Sequence, residues 1–202
     1  MRCWYFNKPP KKDIESDTLV LREQAIPEIG QGQFLLRSIY LSMDATNRLW
    51  LGDWDLYMDP IKPGEPMKGF VLGEVVKSNN AAFPVGVLAA GLAPWAEYSA
   101  TDGAGFSIVP RIPGLKLDEA FGVLAIAGPT ALVGLMDVGR PKPGDTVVVT
   151  AASGAVGMLV GQIAKIHGCR AVGIAGGPDK CRYLAEIGFD AAIDYKSQDV
   201  KA

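Results

Sequence analysis

Histidine and cysteine are nearly absent from this chain of 202 residues. There is one histidine, His167, and there are three cysteines, Cys3, Cys169 and Cys181, with no Cys-x-x-Cys pair. No metal site assembles from so few ligands at familiar spacings, and an odd, sparse set of thiols fits a reducing compartment better than a disulfide framework. The expectation is a cytoplasmic protein that holds no metal. Clusters of Lys and Arg are also lacking. The 20 basic and 22 acidic residues leave a net charge of −2, which argues against a polyanion and predicts no nucleic-acid partner. A secretory leader is not expected at the N-terminus, because Lys8, Lys11 and Lys12 intervene before an apolar core forms. Two stretches, 120–136 and 146–164, carry no charge, but Gly, Pro or polar residues break both. They read as buried core, with no membrane partner. Repeats and low-complexity segments are missing. What remains, 49% hydrophobic and 21% charged, is ordinary for a globular protein of one large or two small domains.

The chain is organised around residues 145–177. Thr146-Val147-Val148-Val149-Thr150 is a β-branched run bounded by Pro143-Gly144 and by small residues, the pattern of a buried parallel strand. Ala152-Ser153-Gly154-Ala155-Val156-Gly157 follows as an A-x-G-x-x-G turn. Apolar residues then recur at helical spacing over 158–167, Gly168 ends the helix, and 171–175 is a second apolar strand. In that context the fingerprint means dinucleotide binding. Small residues let the backbone approach a pyrophosphate, and the helix N-terminus offers it free N–H groups and a positive dipole end. Gly157 is expected to let helix and strand pack closely. An NAD site usually carries Asp or Glu at the tip of the second strand, to hold the ribose 2′-OH. Here the tip is Gly176-Gly177-Pro178, with Asp179 only after the turn and Lys180 and Arg182 next. A 2′-phosphate would find room over the glycines and a cation in Lys180, so NADP(H) is favoured over NAD(H). The alternative for Lys180 and Arg182 is a solvated first helical turn.

Before this region, residues 19–21 and 34–41 read as strands and 44–50 as a short helical turn. Residues 51–67 mix Gly, Pro, Asp, Trp and Tyr in the manner of a long binding loop. Residues 69–77 and 83–99 supply further short strands, which together imply a small β-rich domain or barrel. From Leu117 the pattern turns helical. Asp118-Glu119 caps one helix towards Ile126, and Gly128-Pro129-Thr130 opens another to about Val138. The expected domains are therefore 1–117 and 118–202. A helix over 179–187 and a third strand over 189–195 complete one mononucleotide half. A full dinucleotide fold wants a second half, so the expectation is the front part of a longer protein, or a naturally shortened version of one.

Several motifs resemble the medium-chain dehydrogenase/reductase superfamily, and within it the zinc-free branch of leukotriene B4 12-hydroxydehydrogenases, prostaglandin reductases and curcumin reductases. Tyr40-Leu41-Ser42-Met43-Asp44 with Arg48 resembles that branch's YLSLD-x-x-x-R. Trp95-Ala96-Glu97-Tyr98 resembles its WAEY, and Gly128-Pro129-Thr130-Ala131 its PGLTA segment beside the nicotinamide. Gly154-Ala155-Val156-Gly157 through Ala164-Lys165 resembles GAVGSxVGQIAK, and Phe189-Asp190-Ala191-Ala192 with Tyr195-Lys196 resembles GFDAAxxYK. The match runs from about Gln33 onward. There are departures: Lys68-Gly69-Phe70 stands in place of the zinc branch's G-H-E, and Pro84-Val85-Gly86-Val87 lacks the Asp of the usual G-D-x-V turn.

The resemblance implies an α/β protein with an N-terminal GroES-like β-rich domain followed by a partial, doubly wound Rossmann domain. It implies that Lys180 holds the 2′-phosphate, that Tyr195 contacts the adenosine end, and that Thr130 lies beside the nicotinamide. Tyr57 resembles a substrate-facing tyrosine, and its alternative is a loop aromatic packed on the domain. The implied activity is NADPH-dependent reduction of the C=C bond of enals and enones, with a homodimer in the full-length form. Two alternatives stay open: a quinone reductase of the same superfamily, and a truncated, non-enzymatic module that binds the cofactor or a partner.

Overall fold

The computed structural model describes residues 1–52 and 58–200. The chain divides into two compact units, Met1–Leu115 and Lys116–Ala202.

In the first unit, β1 (Arg2–Phe6) and β2 (Leu19–Glu23) form a two-stranded antiparallel sheet with Trp4 opposite Leu21. A second, five-stranded antiparallel sheet contains β3 (Phe34–Leu41), β4 (Lys68–Ser78), β5 (Leu88–Pro94), β6 (Tyr98–Thr101) and β7 (Ser107–Ile108), in the order β6-β3-β4-β5-β7. β1 is tied to the rest of the unit by Trp4 N–H to the Trp95 carbonyl (2.9 Å) and Met67 N–H to the Trp4 carbonyl (2.8 Å). Between β3 and β4 lies α1 (Ala45–Leu49), which is entered at Asp44; the Asn47 side chain accepts the Asp44 N–H at 2.7 Å. One core gathers Phe34, Leu36, Val71, Val75 and Phe83, with Phe34 stacked on Phe83 at 4.6 Å. A second gathers Phe6, Trp50, Leu51, Ile61, Met67 and Trp95. The strand β1 was not anticipated from its residues. Cys3 and Phe6 point inwards while Trp4 is part-exposed, and its partners are distant in sequence.

The second unit begins with α2 (Leu117–Leu124) and α3 (Ala127–Leu132), and α3 continues as a π-helical run, Val133–Gly139. The expected single helix from Gly128 thus widens half-way. Arg140, at φ 49, closes it in the left-handed conformation and returns its N–H to the Leu135 carbonyl at 2.8 Å. Then come β8 (Thr146–Thr150), α4 (Ala155–Ile166), β9 (Arg170–Ala175), α5 (Pro178–Glu186) and β10 (Ala191–Asp194). The three strands are parallel in the order β10-β9-β8, with Val148 opposite Val172 and Ala192 opposite Gly173. The core joins Leu135, Val149, Ala152, Ala164, Leu184 and Phe189. The fold is mixed α/β, β-rich in its first unit and built on a parallel sheet in its second. Among the described residues no single helix is long and apolar enough to cross a membrane; α2 and the α3–π run pass that test only as a pair bent by 41°.

Candidate functional site

Parallel strands bring their carboxyl ends to one edge, and the loops that leave that edge form the natural ligand crevice of such a sheet. Here those loops are 151–154 after β8, Gly176-Gly177 after β9 and the segment from Tyr195 after β10.

The first loop is tight. Ala151 sits at φ 49, an uncommon region for a residue with a Cβ. That conformation turns its carbonyl towards α4, where it accepts the Gly154 N–H at 2.9 Å. Ala152 is fully buried and extends the parallel ladder by giving its N–H to the Ile174 carbonyl at 3.1 Å. Gly154 is the N-cap of α4. No side chain caps the helix and its first turn holds no acid. The first intrahelical bond runs from Met158 N–H to the Gly154 carbonyl, so the N–H groups of Ala155, Val156 and Gly157 precede the ladder, as at any helix start. A cleft of about 420 Å³ opens here, lined by Thr150, Ala151, Gly154 to Gly157 and Val160. A Cβ on Gly157 would lie 2.5 Å from the Ala151 carbonyl oxygen and 2.8 Å from the Ala152 Cα. Such a bare backbone beside an uncapped helix N-terminus suits a pyrophosphate.

At the second loop, Gly177 has φ 100 and Pro178 opens α5. Arg182 is paired with Asp179. Lys180 is exposed and makes no ion pair among the described residues. Of the two cations noted in the sequence, the structure thus leaves Lys180 as the one not already neutralised.

The third loop holds a group that sequence reasoning missed, Asp194. Its Oδ1 accepts the Gly177 N–H (2.7 Å) and the Lys196 N–H (3.0 Å), and its Oδ2 accepts the Ser197 hydroxyl (3.0 Å). These donors, the Gly177 N–H first, hold its carboxyl below the usual carboxylate range. The run Asp194-Tyr195-Lys196-Ser197 is an Asx-turn signature that could have flagged it. Tyr195 follows, with its hydroxyl against Gly176.

Of the other expected site residues, Ser153 is half-buried in the first loop. Thr130 is exposed on α3, which packs against α4. Tyr57 falls among residues 53–57, outside the described residues. The structure therefore brings Ala152 to Gly157, Gly176, Lys180 and Tyr195 to one sheet edge, with Thr130 on a neighbouring helix. Among the described residues no three of His, Cys, Asp and Glu gather to hold a metal ion, and His167 Nε2 meets the Pro141 carbonyl at 3.1 Å.

Two family models match the chain. One, described as the N-terminal domain of oxidoreductase, covers residues 2–109, and the other, described as zinc-binding dehydrogenase, covers residues 155–202. The zinc of the second description finds no fitting donor set among the described residues. The chain is 38% identical over 202 residues to the NADPH-dependent curcumin reductase of Escherichia coli, spanning 98% of this chain and 57% of that protein. It is 40% identical over 198 residues to prostaglandin reductase 1 of Rattus norvegicus, spanning 97% of this chain and 58% of that one. The crystal structure of CurA from Vibrio vulnificus in complex with NADPH superposes with a TM-score of 0.89 at 39% identity, over 98% of this chain and 59% of that one. The chain thus spans somewhat more than half the length of these relatives. With the oxidoreductase N-terminal model matched over more than half its residues, and relatives near 40% identity over nearly all of them, the chain belongs to the medium-chain dehydrogenase/reductase family.

Proposed function

We propose that the chain binds NADPH at the carboxyl edge of the β10-β9-β8 sheet and belongs to a reductase of the C=C bond of α,β-unsaturated aldehydes and ketones. The observation that carries the reading is the tip of β9. It bears Gly176-Gly177 where an NAD site carries an acid, and the nearby Asp194 carboxylate is occupied by two backbone N–H groups and a hydroxyl. An exposed Lys180 stands in the first turn of the next helix. The name of the NADPH-dependent curcumin reductase of Escherichia coli, and the NADPH of the Vibrio structure, support the same choice.

In this reading the turn of Ala152, Ser153, Gly154, Ala155, Val156 and Gly157 receives the pyrophosphate, with Ala155, Val156 and Gly157 offering backbone N–H groups and the helix dipole while the Ala152 and Gly154 N–H groups hold the turn itself. Lys180 pairs with the 2′-phosphate over Gly176, Tyr195 walls the adenosine end and Thr130 borders the nicotinamide. When bound, NADPH supplies a hydride to the β-carbon of the enone. The C=C electrons shift onto the carbonyl oxygen, Tyr57 donates a hydrogen bond to that developing enolate, and a proton from solvent completes the α-carbon. The substrate side belongs to residues 1–117 and the cofactor side to 118–202. The whole protein is a cytoplasmic homodimer.

The test is a titration of the chain with NADPH and with NADH, followed by the cofactor's own emission, then a comparison of an enone and a quinone as acceptors for the whole protein. Tight binding selective for NADPH, with enone turnover, is expected. Equal affinity for both cofactors, or none for either, overturns the cofactor reading. Quinone turnover without enone reduction moves the activity to the quinone reductases.

A further inference from the structure

The two glycines at the tip of β9 are small for different reasons. Gly177 has nothing within 4 Å of where a Cβ would be; its φ of 100 is what demands glycine. Gly176 has no such backbone demand. A Cβ there would lie 2.7 Å from the Tyr195 hydroxyl oxygen, 2.8 Å from its Cζ and 2.9 Å from its Cε1. All three nearest atoms belong to one edge of one ring. Gly176 therefore leaves out its side chain where Tyr195 sits, and the ring keeps its other side open, with the residue 57% exposed.

The backbone that carries this ring is pinned on every side. Tyr195 N–H is donated to the Ala175 carbonyl at 3.1 Å. On one flank the Asp194 carboxylate reaches across to the Gly177 N–H, and with the same oxygen it takes the Lys196 N–H on the other flank. One carboxylate thus locks the β9 tip to the start of the segment after β10, with Tyr195 between its two backbone ligands. Only the side-chain torsions of Tyr195 remain to be fixed, and the bare face of Gly176 is what the ring rests on.

We propose that Gly176 and Asp194 are positioning residues that seat Tyr195 at the tip of β9 and thereby set the preference for NADPH over NADH. This rests on the cofactor reading above and deepens it. An acidic residue at the tip, the group that grips a ribose 2′-OH in an NAD site, needs its Cβ in the volume the tyrosine ring fills. Ring and acid exclude one another at position 176. The seated hydroxyl is a donor held in advance beside the helix turn that bears Lys180, so its hydrogen bond to a phosphate carries little ordering cost.

The experiment is a double-mutant cycle on the chain, reading NADPH and NADH dissociation constants and the melting temperature of Gly176→Ala, Tyr195→Ala and the double variant. Asp194→Ala and Asp194→Asn are measured beside them. Each single variant at 176 and 195 is expected to weaken NADPH about tenfold more than it weakens NADH, the size of one hydrogen bond to a charged group. The double variant is expected to be no weaker than Tyr195→Ala alone, because the alanine at 176 acts only by unseating a ring already removed. Asp194→Ala is expected to resemble Tyr195→Ala, and Asp194→Asn, which keeps one acceptor for the Gly177 N–H, to recover most of the loss.

A double variant whose losses multiply, or a Gly176→Ala chain that keeps its full preference for NADPH, overturns the proposal while the cofactor reading stands. Wild-type chain with no preference for NADPH overturns both. Should a variant bind poorly because it unfolds, fluorotyrosine spectra of the free chain decide. The Tyr195 resonance, identified by its loss in Tyr195→Phe, must move in whichever of Gly176→Ala and Asp194→Ala stays folded, and a resonance that stays put overturns the seat.

Discussion

Replacing Gly157 by alanine sets two effects of known size against one another. Gly157 lies in the first turn of α4, where alanine is the better helix former by about 1 kcal/mol. Against this, the new Cβ meets backbone that cannot swing aside: the Ala151 carbonyl oxygen at 2.5 Å, the Ala152 Cα at 2.8 Å and the Ala151 carbonyl carbon at 3.1 Å. Ordinary contact begins at 3.4 Å, so α4 must draw back from the strand end by about 0.9 Å. Overpacking of this kind costs about 1–3 kcal/mol. The retreat also loosens Gly161 and Ala164, on the same helix, from the core around Phe189, and a gap of that width forfeits about a quarter to a half of each dispersion contact. The penalty wins, by up to about 2 kcal/mol, which lowers the melting temperature of a unit this size by up to about 15 °C. Gly122 supplies the control. It lies inside α2 with nothing within 4 Å of its Cβ position and no left-handed φ, so Gly122→Ala keeps the propensity gain and loses nothing. The assay is thermal unfolding by far-UV circular dichroism. The four tryptophans, Trp4, Trp50, Trp54 and Trp95, all lie in the first unit, so tryptophan emission reports that unit separately. Opposite shifts are expected, Gly157→Ala down and Gly122→Ala up. If both variants melted higher than the parent, the close approach of α4 to the strand end would not be limiting, and the argument for Gly157 would fail.

Three further outcomes are expected. Lys180→Ala weakens NADPH by about tenfold or more, leaves NADH unchanged and flattens the salt dependence of NADPH affinity; equal losses for both cofactors would detach Lys180 from the 2′-phosphate. Tyr57→Phe in the whole enzyme lowers kcat with little change in NADPH affinity, and an unchanged kcat removes Tyr57 from the chemistry. Asp190 is held below the usual carboxylate range by Lys165 at 2.6 Å, and then by the Ala171 N–H at 2.7 Å. Its folded value is depressed, so its contribution is complete above the unfolded value near about 3.9 and is lost as pH falls through the folded one. The melting temperature of the second unit is therefore expected to be flat from neutral to mildly acidic pH and to fall in the acid range, and Asp190→Asn to shrink that fall. A parent and variant with parallel acid profiles would show that Asp190 contributes nothing to the acid transition.

The parts of the fold that could be read from the residues are those whose determinants are local. The strand Thr146–Thr150, the small-residue turn and the helix Ala155–Ile166 follow one another within a short run, and each signal refers to its neighbour. Even there the reading began the helix at Met158, three residues late, because Ala155-Val156-Gly157 belongs to fingerprint and helix at once. Non-local partners were invisible. β1 exists because Trp4 finds Leu21 and exchanges backbone bonds with Trp95 and Met67, and five residues alone do not announce that. The change from α3 to the π run was equally hidden, since apolar spacing does not distinguish one helical hydrogen-bond pattern from the next.

Glycine shows the limit most clearly. In the sequence Gly157, Gly161, Gly176 and Gly177 are alike, and a fingerprint reads them as room for a ligand. In the fold they answer to the backbone of the turn after β8, to the Phe189 ring, to the Tyr195 ring and to a left-handed φ, respectively. Three of these four concern protein packing inside the unit. Gly176 makes space for a side chain of this chain before it makes space for anything else. A small residue in a nucleotide-binding turn is therefore not by itself evidence of contact with the nucleotide, and the cofactor preference of this chain is better sought in what fills the glycine's empty volume than in the glycine.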